Sequence, residues 1–158
     1  MPKTIISTPN APAGLAGYSQ AVVAGGMVYV SGMGPIDPRT GVIVGDSIQE
    51  QTAQCLRNVT ATLEAAGASL SDVVWAIWSL RYPDDFDGFN EEWGRWFTIA
   101  PPARHGALLP LPDRLADVRI SIGWVKENST PGCSAIASRN CCRSHSLSGT
   151  RHWSLGLS

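Results

Sequence analysis

Few residues in this chain have both the type and the setting to do chemistry, and Arg104 is the first of them. It follows Pro101-Pro102-Ala103 and opens a stretch that reads as a strand, so its guanidinium is held at a defined point where a cleft could begin. A guanidinium is a planar fork that matches a carboxylate with two parallel hydrogen bonds, which makes Arg104 a candidate carboxylate receptor. The alternative is an Arg at a strand end that lays its stem along apolar surface and keeps its charge in water. His105 follows directly. A neutral imidazole can accept or relay a proton near pH 7, although a lone His at a strand start also serves as a donor to a backbone carbonyl. Tyr18, between Gly17 and Ser19, either lines a site with its phenol or packs at a core or interface with its hydroxyl satisfied.

The sequence argues against metal and nucleic-acid chemistry. Cys133, Cys141 and Cys142 fall in the C-terminal segment and only Cys55 lies in the body, so no disulfide framework is expected. The adjacent Cys141 and Cys142, with His145 and His152 nearby, lack the second Cys pair of a zinc site, and no metal is expected. The formal net charge is -1, with no run of Lys or Arg, so the basic footprint of an RNA or DNA binder is missing. No apolar run is long enough for a signal-peptide core or a membrane span, and a cytoplasmic protein is expected.

The 158 residues suffice for one domain with a substantial core, and 44% apolar with 16% charged residues fits a globular chain. Composition changes near Glu127. Residues 128–158 contain no Asp or Glu, carry Arg139, Arg143 and Arg151, and show neither helical nor strand period. We therefore divide the chain into a domain over 1–126 and a disordered tail over 127–158. The nine remaining Lys and Arg of the body face thirteen Asp and Glu, a net charge near -4.

The elements that must position Arg104 follow from period and punctuation. Lys3–Ser7 is a short strand. Ser19–Ala24 and Met27–Ser31 flank Gly25-Gly26, a hairpin whose turn is made for positive φ. From Ser47 the apolar residues Ile48, Cys55, Leu56, Val59 and Leu63 recur at helical spacing. Ser47 and Glu50 form a capping box at the start, and Gly67 sits at the end. Val73–Leu80 is a mostly apolar strand suited to a buried central position. Asp84-Asp85 opens a second helix with Phe86, Phe89, Trp93, Trp96 and Phe97 on one face. Arg104–Leu109 and Val118–Val125 supply the last strands, linked through Pro110-Leu111-Pro112-Asp113. Three strands, a helix, a strand, a helix and two strands predict an α+β sandwich, with a mixed sheet covered by two helices on one face.

Read in order, Thr8-Pro9-Asn10-Ala11-Pro12, Gly17-Tyr18-Ser19-Gln20-Ala21, Val30-Ser31-Gly32, Asp37-Pro38 with Thr40-Gly41, Gln51-Thr52, Leu63-Glu64-Ala65-Ala66-Gly67, Phe89-Asn90 and Pro101-Pro102-Ala103-Arg104 resemble the RidA/YjgF family over about residues 3–125. The resemblance implies a chorismate-mutase-like fold, a homotrimer whose sheets pack into a central barrel, active-site clefts between subunits, and no cofactor. It implies a deaminase that hydrolyses reactive imines or enamines of small carboxylates, of the 2-aminoacrylate type, to keto acids and ammonia. Arg104 would pair with the substrate carboxylate, backbone groups near Ser31-Gly32 would hold the substrate, and Tyr18 would line the cleft. Asn90 matches a frequent family Asn that binds substrate or bonds a neighbouring loop. Trp75, Trp78, Trp93 and Trp96, four of the six tryptophans, are read as core and trimer-interface packing rather than a cage for a cation. The chemistry needs little acid or base power, because the C=N carbon is already electrophilic and positioning can suffice.

The departures from the family pattern bear on activity. Met33 replaces the usual Gln, His105 replaces a Ser or Thr, and Gly106-Ala107 stands where Cys-Val or Thr-Val is common. The last strand places Ser121 where the family carries the Glu that positions water. Either Ser121 and His105 take over polar contacts, or the chain is a non-catalytic trimer that binds a small carboxylate or regulates. A ribonuclease activity has also been ascribed to relatives, but the acidic body and missing basic stripe oppose it.

Overall fold

A computed structural model describes residues 2–14, 17–108 and 120–127. The chain divides into two units, Met1–Asn128 and Ser129–Ser158, and all described residues belong to the first. Of the tail expected over 127–158, Glu127 ends the last strand, while 128–158, the Pro110–Asp113 link and the first residues of the last predicted strand lie outside the description.

The observed order is β1 (Thr4–Ile6), β2 (Ala21–Ala24), β3 (Met27–Met33), α1 (Ile48–Ala65), β4 (Val73–Leu80), α2 (Phe86–Trp96), β5 (Ala103–Leu108) and β6 (Ile120–Glu127). Short 3₁₀ turns at Leu70–Asp72 and Pro83–Asp85 precede β4 and α2. The strands form one sheet in the order β1-β2-β3-β6-β4-β5, antiparallel except for the parallel pair β4 and β5. That pair is joined through α2, the crossover that a parallel connection requires. The β2–β3 hairpin turns on Gly25 and Gly26, with φ of 59° and 78°, the left-handed pair that a two-residue loop needs.

The α1 start is the capping box read from the sequence. The Ser47 hydroxyl accepts from the Glu50 N–H at 3.2 Å, and the Glu50 carboxylate accepts from the Ser47 N–H at 3.1 Å. Leu56, Val59 and Leu63 of α1, with Phe89 of α2, pack on Val28, Ala76, Leu80, Ile120 and Ile122 of the sheet, all fully buried. At roughly 1.5–3 kcal/mol for each large side chain, this one layer dominates the stability of the domain.

Among the described residues only one face of the sheet carries helices, as expected, so β4, read as suited to a buried central position, is buried on its helical side alone. Val74, Trp75 and Ile77 are 48%, 37% and 42% exposed, with no cover from the described residues. The second-helix stripe is also narrower than expected. Phe89 and Trp93 are buried, whereas Phe86, at the first position of α2, reaches only the rim of the sheet and is 42% exposed. Among the described residues no helix is long and apolar enough to cross a membrane.

Candidate functional site

Arg104 enters on β5, the edge strand, paired in parallel register with Ala76 of β4. Its guanidinium carbon lies 5.4 Å from the Phe89 ring centre and 5.3 Å from that of Trp93. One guanidinium N–H donates to the Asn90 Oδ1 at 2.5 Å. Three neighbours on α2 therefore seat the charge, two through aromatic faces and one through an amide oxygen. Among the described residues no carboxylate pairs with it, unlike Arg39 with Asp37 or Arg95 with Glu91 and Glu92. Partial burial pulls the Arg104 pKa below its ordinary value, yet an arginine remains cationic at any physiological pH. A fixed cation on an apolar floor, with no counterion among the described residues, has the chemistry to receive an anion.

The neighbouring His105 does not join it. Strand alternation turns consecutive side chains to opposite faces, and Arg104 contacts α2 on the helical side. His105 therefore projects from the open face, where it pairs in register with Ile77. Ser121 lies in β6 opposite Ser79, and its side chain is outside the description.

Tyr18 and Gly32 meet elsewhere, in a cavity of about 270 Å³ lined also by Met33, Ile36, Asp37 and Pro38. Backbone hydrogen bonds from two buried amides hold its walls. The Gln20 Oε1 accepts from the Thr8 N–H at 2.7 Å, and its Nε2 faces the carbonyls of Thr8, Ala11 and Pro12 at 3.0, 3.0 and 2.7 Å. Asn58 of α1 donates through Nδ2 to the carbonyls of Gly34 and Ile36 at 2.9 and 2.8 Å. The Ser31 hydroxyl donates to the Ser19 carbonyl at 2.7 Å, so it ties the Tyr18 loop to β3. Asp37 caps the turn that follows. The backbone N–H groups of Arg39 and Thr40 bond its carboxylate and hold it below the usual carboxylate range.

The cation and this cavity are separate within one chain. β3 and β5 are three strand steps apart, about 14 Å at the usual spacing, which a small carboxylate does not bridge. The structure thus brings Asn90 to Arg104, and Tyr18 to Gly32, but does not bring the two pairs together. Phe89 and Trp93, expected from the sequence as packing residues, also lie against the Arg104 cation, while Gln20 and Asn58 are supporting residues to which the sequence assigned no role. A detectable signal existed for Asn58, a polar amide inside the apolar stripe of α1 between Leu56 and Val59. Cys55 is buried, burial pushes its thiol pKa well up, and its Sγ donates to the Ile120 carbonyl at 3.6 Å, so it is a packing residue.

Comparison with known proteins agrees with this architecture. The family model for endoribonuclease L-PSP matches residues 8–113. A RutC family protein of Saccharolobus solfataricus is 46% identical over 102 residues, 65% of this chain and 81% of that protein. Reactive Intermediate Deaminase A, chloroplastic, of Arabidopsis thaliana is 40% identical over 112 residues, 69% of this chain and 60% of that protein. Among solved structures, E. coli TdcF with bound serine superposes with a TM-score of 0.73 at 33% identity, covering 80% of this chain and 99% of TdcF. The E. coli YjgF gene product gives 0.72 at 34% identity, over 78% of this chain and 98% of that one. With the predicted sheet, helices and motif order all in place, the chain belongs to the RidA/YjgF family.

Proposed function

We propose that this protein is a deaminase that hydrolyses reactive imines or enamines of small carboxylates. The observation that carries the proposal is the Arg104 guanidinium, seated on Phe89 and Trp93, anchored by Asn90 and lacking an acid partner among the described residues. The substrate carboxylate pairs with its remaining donors, which fixes the C=N carbon in place. Water adds to that carbon, the nitrogen takes up protons, and the C–N bond then breaks to release ammonia and leave a keto acid. An enamine first tautomerises to the imine. Orientation supplies most of the acceleration, because the carbon is electrophilic before any catalyst acts. Relatives in the mite Dermatophagoides farinae and in Capra hircus bear the name 2-iminobutanoate/2-iminopropanoate deaminase, at 41% and 37% identity.

The working unit in this reading is a homotrimer with clefts between subunits, each joining Arg104 and Asn90 of one copy to Tyr18 and Ser31-Gly32 of another. Two features support it. The roughly 14 Å between β3 and β5 leaves each chain with two half-sites. The open sheet face carries Tyr29, Trp75 and Ile77, each at least a third exposed, an apolar surface suited to burial against a copy. Tyr29 and Trp75 flank Val125 in register, so they form one band across the sheet.

The second reading is a carboxylate-binding or regulatory trimer without turnover, favoured by Ser121 at the place of the family Glu. A relative in Lactococcus lactis, 38% identical, bears the name of a regulator, AldR. The deciding experiment measures pyruvate release from enzymatically generated 2-aminoacrylate by the parent, Arg104→Ala and Ser121→Glu. Turnover that falls at least 100-fold in Arg104→Ala supports the deaminase. No turnover in the parent, with some in Ser121→Glu, supports the binding protein.

A further inference from the structure

Gly106 stands two residues beyond Arg104 on β5 and faces the same, helical, side of the sheet. A Cβ placed on it would lie 2.1, 2.2 and 2.5 Å from ring carbons of Trp78, its register partner on β4. Trp78 is therefore folded flat across the edge strand and occupies the volume that any side chain at 106 would need. Its ring centre is 5.2 Å from that of Phe89 and 5.6 Å from that of Phe86. Phe89 is also the ring beneath the Arg104 guanidinium. From the cation, a row of touching rings thus runs through the buried Phe89 and the partly exposed Trp78 to the 42% exposed Phe86.

We propose that Trp78, in the space left by Gly106, sets substrate specificity at Arg104, selecting 2-imino acids with a branched or aromatic side chain over those with only a methyl group. The proposal rests on the reading of Arg104 as the carboxylate receptor. Residues i and i+2 of a strand are about 6.7 Å apart, close to the reach from a carboxylate to the branch or ring of such a substrate. A carboxylate held at Arg104 then lays its substituent on the indole face, and apolar contact there discriminates by roughly tenfold or more. A methyl group is too short to gain that contact.

Stable 2-keto acids, which share the carboxylate and the planar α-carbon, test this by calorimetric or NMR titration of the full chain. Phenylpyruvate and 4-methyl-2-oxopentanoate are expected to bind at least about tenfold tighter than pyruvate, and Arg104→Ala is expected to weaken all three. Trp78→Leu should bring the three affinities within about threefold of one another. Because that variant opens a gap in the sheet layer, Phe86→Leu at the exposed rim provides a milder second test, narrowing the preference by part of the same factor. Equal binding of the three acids by the parent, still dependent on Arg104, overturns the specificity proposal and leaves the carboxylate receptor standing. A preference that persists in both Trp78→Leu and Phe86→Leu also overturns it. Binding of none of the acids, or binding indifferent to Arg104→Ala, overturns the receptor and the specificity with it.

Discussion

The surroundings of Arg104 and of Tyr18 are built in opposite ways. Around Arg104, side chains on regular elements do the positioning: α2 presents Phe89, Asn90 and Trp93 within two turns, and β5 delivers the guanidinium onto them. Around Tyr18, the walls are loop backbone, and the loops take their shape from Gln20 and Asn58 bonding to several carbonyls each. A charge needs one fixed direction, which rings and one acceptor supply. A cavity wall made of main chain needs its polar groups satisfied, which only buried amides with two donors can supply at this density.

The two regions respond unequally to mutation, and the greatest loss is expected on the loop side. Asn58→Ala removes both donors from the carbonyls of Gly34 and Ile36, and a loss of about 2–3 kcal/mol of unfolding free energy is expected from urea titration. The same variant should weaken ligand contact at the Tyr18 cavity without changing the Arg104 surroundings. If stability is unchanged, the loop walls are held by something other than the amide.

On the Arg104 side, Asn90→Ala should leave the fold intact and lower activity or carboxylate affinity by about tenfold, since one acceptor orients the fork while two rings still support it. His105→Ala, on the opposite face of the same strand, should change the same readout less than about twofold. Equal effects from the two would show that the faces of β5 are not functionally distinct.

The smallest effect is local to the start of α1. Ser47→Ala removes one hydroxyl acceptor from the cap and should cost about 1 kcal/mol in a thermal or urea melt. Glu50 in that cap and Asp37 in the turn both have pKa values lowered by hydrogen bonds from their neighbours. A carboxylate with a lowered folded pKa contributes stability that is complete above its unfolded value and lost as pH falls through the folded one. Acid titration should therefore show weakening that begins near the ordinary carboxylate range and continues below it. The Asp37 share should vanish in Asp37→Asn. Stability flat through that range would show the two caps to be energetically idle.

Much of the architecture is legible in the sequence because its causes are local. The Ser47-Glu50 box, the Gly25-Gly26 turn and the periods of α1 and α2 each depend on residues within a few positions, and each appears where the pattern puts it. The motif order is likewise local and sufficient for the family. The candidate site is legible only as a set of names. Alternation along β5 is a sequence property, but which face received the helices is not, so the separation of Arg104 from His105 needed the sheet to be assembled. Val73–Leu80 reads as mostly apolar, and only the one-sided helical cover shows that Trp75 and Ile77 face outward.

Residue type and spacing by themselves determined the elements and the motifs that carry the family resemblance, and they singled out Arg104 as a candidate. The tertiary structure alone decided what touches it. Phe89 and Trp93 lie 15 and 11 positions before Arg104 in the chain, and Trp78 is 28 positions before Gly106. Contacts at that separation are set by strand register and helix docking, which pack one face of the sheet to interior density and leave the other open.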